Sequence, residues 1–332
     1  MDGDNNIGFG HVVRCTALAE MLKESCHISF AIRESTQSFT NQFRNVADEI
    51  IQLPVLPGYA EEATYFSGMV QIGDIVVLDG YHFDTNYQVK LRQRNARVVS
   101  IDDVSQFHYA SDVVINHAPG VASSSYSKEP YTILCLGINY LLLRPPFLAA
   151  AKKRREIDRV DTALISMGGA DLQNLTCKFF KLLLRSERIK KINIVVGNAF
   201  RYEEILNELI SIKANKEIHL QKDINADGMV NAIAGSHIAI CPTSTSVFEM
   251  MAIGVGIISG YTADNQLNIA DFVEWSGAAN YFGELDKANK DDILNVIDNI
   301  PVEVINRQIK KQKSLIDGSS ASYLREAVLQ TS

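Results

Sequence analysis

The sequence lacks the features that mark a membrane-spanning or a nucleic-acid-binding protein. No apolar run is long enough to cross a bilayer, and we expect no signal peptide. Basic residues do not predominate, since 32 Lys and Arg stand against 39 Asp and Glu, for a net charge of −7. The short basic run at 152–155 is more typical of a solvated linker than of a nucleic-acid patch. These absences predict a cytoplasmic protein with no membrane span and no nucleic-acid partner.

Cysteines are few and show no metal-site spacing. The five of them are scattered at Cys15, Cys26, Cys135, Cys177 and Cys241, without the close pairs that zinc sites use. Buried, reduced thiols in a cytoplasmic protein are the simplest interpretation. We therefore expect no metal site.

Short apolar runs rich in β-branched residues alternate with helical patterns along the 332 residues. Examples are DIVVLD at 74–79 and ARVVSIDD at 96–103, then TALISMGG at 162–169 and HIAICP at 237–242. Near-continuous apolar strands separated by helices predict parallel sheets covered on both faces. The expected fold is α/β and GT-B-like, with two doubly wound, Rossmann-like domains that face each other across a cleft.

A domain boundary is expected at LRPPFLAAAKKRREIDRV, where paired prolines precede a charge cluster. Ligands of open α/β sheets bind at the carboxyl ends of strands, and both halves carry distinctive residues there. The predicted parts are an N-terminal domain over 1–147, a linker over 148–160, a C-terminal domain over 161–302 and a helical tail over 303–332, interrupted at 317–322.

The stretch NNIGFGHVVRCTALAEML at 5–22 predicts a glycine turn that leads into a helix. Gly8 and Gly10 can take backbone angles closed to other residues, and the apolar residues that follow recur at helical spacing. His11 then lies in the first helical turn, at a helix start that suits phosphate. The alternative is a glycine turn with a surface histidine.

A parallel strand normally precedes such a glycine turn, but the few residues before Gly8 are mostly polar. Either the sheet lacks that strand, or the coding start lies upstream of Met1. We expect the second.

Five motifs, in order along the chain, carry a resemblance to an enzyme family. They are GFGHVVRCTALAEML, DGYHFD, SMGGADLQNLT, STSVFEMMAIG and DNQLNIADF. Together they resemble the nucleotide-sugar hydrolases of pseudaminic acid biosynthesis, which cleave UDP-2,4-diacetamido-2,4,6-trideoxy-β-L-altropyranose to UDP and free sugar. The resemblance covers nearly the whole chain and implies a GT-B architecture, similar to the N-acetylglucosaminyltransferase of peptidoglycan synthesis. It also implies cleavage at the anomeric carbon without a metal or cofactor.

The resemblance places the chemistry in the first domain. His11 matches the family's general base. Tyr81 matches a tyrosine near that base and could hold the water or the sugar; the alternative is a half-buried core tyrosine. Arg14, one turn after His11, could face the phosphates or lie on the surface.

Four aspartates follow strands nearby. Asp79 and Asp84 could orient groups in the site or act as ordinary caps, and Asp102 and Asp103 could form the wall of the cleft. We expect His82 to be exposed rather than catalytic.

In the second domain the resemblance implies contacts with the nucleotide. Gly168 and Gly169 permit close approach of a diphosphate, before a helix that starts near Asn174. Glu249 matches the acid that holds ribose hydroxyls in related GT-B proteins. Four residues before the next helix could offer hydroxyls and N–H groups to phosphate, or could serve only as helix caps. They are Thr243, Ser244, Thr245 and Ser246.

Three further residues match family positions. Asn265 and Gln266 match an Asn-Gln pair at the nucleotide-sugar end of the cleft, and Arg144 matches an arginine near the domain junction that could be structural.

Three functions remain open: a hydrolase, a GT-B glycosyltransferase and a nucleotide-sugar-binding protein without activity. The lack of a membrane-association patch in the first domain favours the hydrolase, and His11 together with Tyr81 favours an enzyme. An NAD oxidoreductase is disfavoured, because histidine and arginine stand where the dinucleotide motif needs a glycine. We predict a monomeric, inverting, metal-independent hydrolase whose partner is a UDP-sugar.

Overall fold

The computed structural model describes residues 10–33, 43–44, 46–211 and 215–330. The described residues divide into two compact units. The first comprises the chain up to Pro145 together with the segment from Ser319, and the second is Pro146–Gly318. Gly8 and the segment before it lie outside the described residues.

The first unit is built on a four-stranded parallel sheet of order β3-β4-β6-β8. Two further parallel pairs, β1 with β2 and β5 with β7, accompany it. The strands at 74–79 and 96–103 are confirmed, whereas β1 and β2 were not predicted. The elements are α1 (Gly10–Leu22), β1 (Ser29–Ile32), β2 (Glu49–Gln52), α2 (Tyr59–Ser67), β3 (Ile75–Asp79), α3 (Thr85–Arg92), β4 (Arg97–Ile101), β5 (His108–Tyr109), β6 (Val113–Asn116), β7 (Ser127–Lys128) and β8 (Ile133–Leu136).

The second unit is built on a six-stranded parallel sheet of order β11-β10-β9-β12-β13-β14. Successive strands extend outward from β9 in one direction and from β12 in the other, which is the doubly wound order with its switch point between β9 and β12. The elements are α4 (Pro145–Ala151), β9 (Thr162–Ser166), α5 (Leu175–Arg185), β10 (Lys191–Val196), α6 (Glu203–Ser211), β11 (Glu217–Lys222), α7 (Ala226–Ala234), β12 (Ile238–Pro242), α8 (Thr245–Ile253), β13 (Gly256–Tyr261), α9 (Leu267–Ser276), β14 (Asn280–Glu284), α10 (Lys290–Asn299) and α11 (Val302–Leu315).

The segment expected as one helical tail contributes a helix to each unit. Helix α11 belongs to the second unit, where the buried Gln312 side chain bonds the backbone of Val255 and Ala278. After a break at 316–319, shorter than the predicted interruption at 317–322, α12 (Ser320–Leu329) packs against α1 in the first unit. Arg97 of β4 donates to the carbonyl of Ala327 at 2.8 Å and ties α12 to the sheet.

Apolar side chains explain why both sheets hold their helices. All of β9 and β12 is buried, and α5 turns Phe179, Phe180 and Leu183 into the core of the second unit. In the first unit α1 buries Leu18 and Met21 among other residues. All five cysteines are free, and four of them are buried.

Within the described ranges, no helix is long and apolar enough to cross a membrane.

Candidate functional site

Charged and titratable side chains of the first unit collect at one edge of its sheet. Asp79 ends β3, Asp103 lies two residues past β4, and His117 directly follows β6. Because β3, β4 and β6 are adjacent parallel strands, their carboxyl ends lie at the same edge. His11 and Arg14 join them from the first turns of α1, where a spacing of three places both on one helix face.

His11 is held by a buried carboxylate. Its Nδ1 lies 2.6 Å from Oδ1 of Asp79, whose side chain is 0% exposed. An ionised carboxylate only accepts hydrogen bonds, so the proton of the neutral ring must be on Nδ1. The lone pair is then on Nε2, which is the arrangement of a general base whose tautomer is fixed by an orienting acid.

Arg14 lies between two carboxylates and is only 12% exposed. Its Nε donates to Oδ2 of Asp79 at 2.8 Å and its Nη2 to Oδ1 at 2.5 Å, while its Nη1 donates to Oδ1 of Asp103 at 2.6 Å. Nη2 also lies 3.0 Å from Nδ1 of His11, a contact between two donors. Arg14 is thus neither a free surface arginine nor an unpaired cation.

The pKa values in this cluster follow from pairing that outweighs burial. Burial opposes the ionised form of Asp79, but the hydrogen bonds and charge of Arg14, and then His11, hold the pKa of Asp79 at about 2. Burial also opposes the charge on Arg14, yet Asp79 and Asp103 raise the pKa of Arg14 above its usual value. Both groups are ionised at every physiological pH.

Tyr81 is half exposed rather than a core residue. Its ring meets the ring of His11 edge-on, with centroids 5.2 Å apart, and its hydroxyl donates to Oδ2 of Asp103 at 3.4 Å. Partial burial and the charge of Asp103 raise the pKa of Tyr81, so the phenol stays protonated. His11 and Tyr81 are therefore neighbours.

The other aspartates shape the local backbone. Asp84 caps α3 by accepting from the backbone N–H of Tyr87 at 2.9 Å. Asp102 accepts from the backbone N–H of Ser105 at 2.9 Å and from the hydroxyl of Tyr126 at 2.7 Å, and so shapes the loop that carries Asp103.

His82 stacks on Tyr59 with centroids 3.8 Å apart.

His117 lies beside this cluster and was not predicted from the sequence. Its Nδ1 accepts from the backbone N–H of Leu142 at 3.4 Å. Burial, and then the charge of Arg14, lower the pKa of His117 to about 4, so it is neutral at pH 7. Its position directly after a buried strand was the signal that could have identified it.

In the second unit, the strand ends on either side of the switch point carry small residues. Gly168 after β9 has a φ of +84°, which favours glycine, and a Cβ added at Gly169 would meet nothing within 4 Å. A Cβ at Gly197 would come within 2.5 Å of the Gly169 backbone, so the turns after β9 and β10 depend on glycine to pack together.

The N-terminus of α5, which follows β9, is already capped by a carboxylate. Asp171 accepts from the backbone N–H groups of Leu175 and Thr176, each at 2.8 Å. Asn174 precedes the helix with a φ of +52°. A diphosphate at this helix start would have to approach the carboxylate of Asp171.

The N-terminus of α8, which follows β12, is capped only weakly. Ser244 accepts from the backbone N–H of Ser246 at 3.4 Å, and Thr245 and Ser246 form the first turn. Thr243 is fully buried, and its hydroxyl has no hydrogen-bond partner among the residues that the structure describes. A buried hydroxyl without a partner is costly.

The other residues predicted to contact the nucleotide-sugar differ in burial. Glu249 is buried one turn into α8. Asn265 is exposed in the 3-10 turn before α9, while Gln266 of the same turn accepts from the backbone N–H of Thr262 at 2.9 Å. Arg144 is partly buried just before α4.

Over the described ranges, no group of three or more His, Cys, Asp or Glu side chains is arranged to hold a metal ion.

Comparison with solved structures defines the class of fold. The chain is similar in structure to MurG of Acinetobacter baumannii, with a TM-score of 0.67 and 14% sequence identity. The alignment covers 97% of this chain and 96% of MurG. The fold is therefore GT-B, and the prediction of two Rossmann-like α/β domains with parallel sheets is confirmed.

Two curated proteins are similar in sequence. The chain is 26% identical over 287 residues to the spore coat polysaccharide biosynthesis protein SpsG of Bacillus subtilis, covering 84% of this chain and 80% of SpsG. It is 25% identical over 280 residues to the uncharacterized protein MJ1062 of Methanocaldococcus jannaschii, covering 81% of this chain. The match spans only 56% of the length of MJ1062. No protein-family profile matches the chain.

Proposed function

We propose that the chain hydrolyses a UDP-linked diacetamido-trideoxy sugar to UDP and free sugar, in the biosynthesis of pseudaminic or related nonulosonic acids. The five motifs, the GT-B fold and a relative named for polysaccharide biosynthesis support a role in nucleotide-sugar chemistry. The observation that carries the proposed general-base chemistry is the contact of 2.6 Å between His11 Nδ1 and Asp79. It leaves Nε2 as a base able to take a proton from water.

The proposed reaction is a direct displacement. Nε2 of His11 removes a proton from water as the water oxygen bonds to the anomeric carbon, and the bond from that carbon to the phosphate oxygen breaks. The electron pair of that bond leaves with UDP, which is already a good leaving group. Asp79 faces the imidazolium that forms and stabilises it. Tyr81, edge-on to His11, is positioned to hold the water or the sugar.

We assign the nucleotide to the second unit. Its doubly wound sheet has the switch point at which such sheets bind ligands, between β9 and β12. Of the two helices that start there, α8 suits the diphosphate better, because Asp171 already fills the N-terminus of α5. We then expect Glu249, one turn into α8, to bind the ribose hydroxyls.

The test is release of nucleotide in water with no acceptor present. The purified protein is incubated with a panel of UDP-, GDP- and CMP-sugars, and free nucleotide is followed by chromatography. We expect UDP from the diacetamido-trideoxy sugar, and release slower by about two to four orders of magnitude from the same substrate with His11→Ala.

A GT-B glycosyltransferase is the second candidate, since the fold itself is shared with such enzymes. It would release UDP only when an acceptor is added. A binding protein without activity would take up a UDP-sugar and release no nucleotide under either condition.

A further inference from the structure

We propose that Arg14 and Asp103 are positioning residues, which hold the base His11 and the neighbouring Tyr81 in one closed ring of contacts. The inference rests on the proposed function. Asp79 joins His11 to Arg14, Asp103 joins Arg14 to Tyr81, and the ring of Tyr81 returns to His11 at 5.2 Å. The side chains come from α1 and from the ends of β3 and β4, so the ring also fixes this helix against the sheet.

The contacts of Arg14 leave little of it for a phosphate. A guanidinium has five N–H groups in a planar fork, and Nε, Nη1 and Nη2 each donate to a carboxylate oxygen. Two carboxylates against one guanidinium leave the cluster with one net negative charge. A diphosphate would be repelled by that charge, whereas water and an uncharged sugar would not. Arg14 therefore serves the acid–base centre and leaves the diphosphate to another part of the protein.

The geometry shows why a lysine could not replace Arg14. Asp79 receives two parallel hydrogen bonds from the fork, through Nε and Nη2, while Nη1 reaches Asp103 in the opposite direction. An ammonium group is a point charge and cannot bridge two carboxylates in this way. In Arg14→Lys, Asp79 would lose the two bonds of the fork and keep its contacts with His11 and with the thiol of Cys15. The orientation of His11 would then be held less firmly.

Asp103 is the exposed member of the ring. Its side chain is 36% exposed and lies on the loop that Asp102 shapes through the backbone N–H groups of Val104 and Ser105. Asp103→Asn removes the charge and leaves one acceptor oxygen where Arg14 and Tyr81 now use two, so it weakens both contacts. The pair of Arg14 with Asp79 stays in place. Asp103→Asn therefore separates the outer half of the ring from the inner half.

The experiment compares Arg14→Lys and Asp103→Asn with Arg92→Lys, a control that alters an Arg–Asp pair in the same unit, away from this edge. Steady-state rates, UDP affinity by calorimetry and the ¹⁵N signals of the His11 ring are measured on the whole chain. We expect kcat to fall about a hundredfold in Arg14→Lys, the usual cost of a misplaced catalytic group, and about tenfold in Asp103→Asn. KM and UDP affinity should change less than twofold, and Arg14→Lys should shift the His11 tautomer signals.

A phosphate-binding role for Arg14 predicts different results. Arg14→Lys would weaken UDP binding tenfold or more, and Asp103→Asn would tighten it by freeing the guanidinium. Either of these results would overturn the proposal, as would unchanged kcat and unchanged His11 signals in both variants. If Arg14→Lys does not fold, Asp103→Asn alone decides between the two roles.

The NMR and calorimetry readings need no turnover. If the unaltered protein releases no nucleotide from any sugar, the proposed function fails while these readings still test the role of Arg14.

Discussion

At the carboxyl ends of β3 and β4 the side chains are charged and paired with one another. After β9 and β12 there are glycines and hydroxyl side chains, and the one carboxylate, Asp171, is bound to the start of α5. In the first unit Asp79, Arg14 and Asp103 satisfy each other's hydrogen bonds. In the second unit Gly168 takes a left-handed backbone angle, and the hydroxyl of Thr243 is buried with no hydrogen-bond partner in the described part of the chain.

The difference separates two kinds of chemistry. Moving a proton at a chosen atom requires fixed charges that set the tautomer of the base, and these must be bonded before the substrate arrives. Binding a diphosphate requires close backbone approach and unused donors, which become satisfied only when the ligand is present. In the proposed function, the two sheets use the same strand-end position for these opposite purposes.

The largest expected effect is on turnover, at the charged carboxyl ends of β3 and β4, here called the charged edge. His11→Ala should lower turnover by about two to four orders of magnitude, the usual share of general-base catalysis, because it removes the proton acceptor. UDP affinity should be unchanged, since the nucleotide is assigned to the second unit. His108→Ala, at an exposed histidine of the same unit, is the control and should retain full activity. Near-normal turnover in His11→Ala would reduce His11 to a helix-start residue.

The next effect is on stability. Asp79→Asn should lower the free energy of unfolding by about 3 kcal/mol, because the buried charge of Arg14 loses its main partner. Asp286→Asn, which breaks an exposed pair with Lys178 in the second unit, should cost under about 1 kcal/mol. Urea unfolding of the three proteins measures both values. Equal losses in the two variants would mean that the charged edge adds no special stability.

The same pair predicts a pH dependence. The pKa of Asp79 is lowered to about 2 in the folded chain from an ordinary value of 3.8. A carboxyl with a lowered pKa stabilises the fold above its unfolded-state value, and this contribution is lost as pH falls toward the folded-state value. The stability difference between the unaltered protein and Asp79→Asn should thus be constant from pH 7 to about pH 5, then shrink between pH 4 and pH 2. Urea midpoints across this series measure it, and a loss that begins near neutrality would contradict the assignment.

A smaller effect is expected on UDP affinity, at the carboxyl end of β12. Thr243→Val keeps the shape of the side chain and removes the hydroxyl, so UDP affinity should fall about tenfold, the value of one hydrogen bond to a charged group. Folding stability should be equal or slightly higher, since a buried unpartnered hydroxyl is lost. Thr162→Val is the matched control for calorimetry with UDP. Thr162 is the first residue of β9 and so lies at the amino ends of the strands, away from the proposed nucleotide site. Unchanged affinity in Thr243→Val would move the diphosphate away from α8.

The regular part of the fold could be predicted because it is encoded locally. The buried strands at 74–79 and 237–242 are continuous apolar runs, and both were identified. Strands β1, β2 and β14 were not, because few of their residues are fully buried and their apolar runs are short. The interruption predicted at 317–322 overlaps the break in the structure, but the unit to which each flanking helix belongs depends on distant contacts such as Arg97 with Ala327.

The candidate site was only partly predictable, because its contacts join residues far apart in sequence. Asp79 lies 68 residues from His11, and a strand-end aspartate reads equally well as a cap. Two roles were open for Arg14, and its bonds to Asp79 and Asp103, 89 residues away, could not be anticipated from neighbours along the chain.

The most direct test of the account is to run the reaction in oxygen-18 water. If His11 activates water against the anomeric carbon, the label should appear in the free sugar and none in UDP. NMR should show that the first-formed sugar has the anomeric configuration opposite to that of the substrate, because retention would need a covalent intermediate on a carboxylate. Label in UDP would mean attack at phosphorus and would contradict both the glycosyl cleavage and the role of His11 in it.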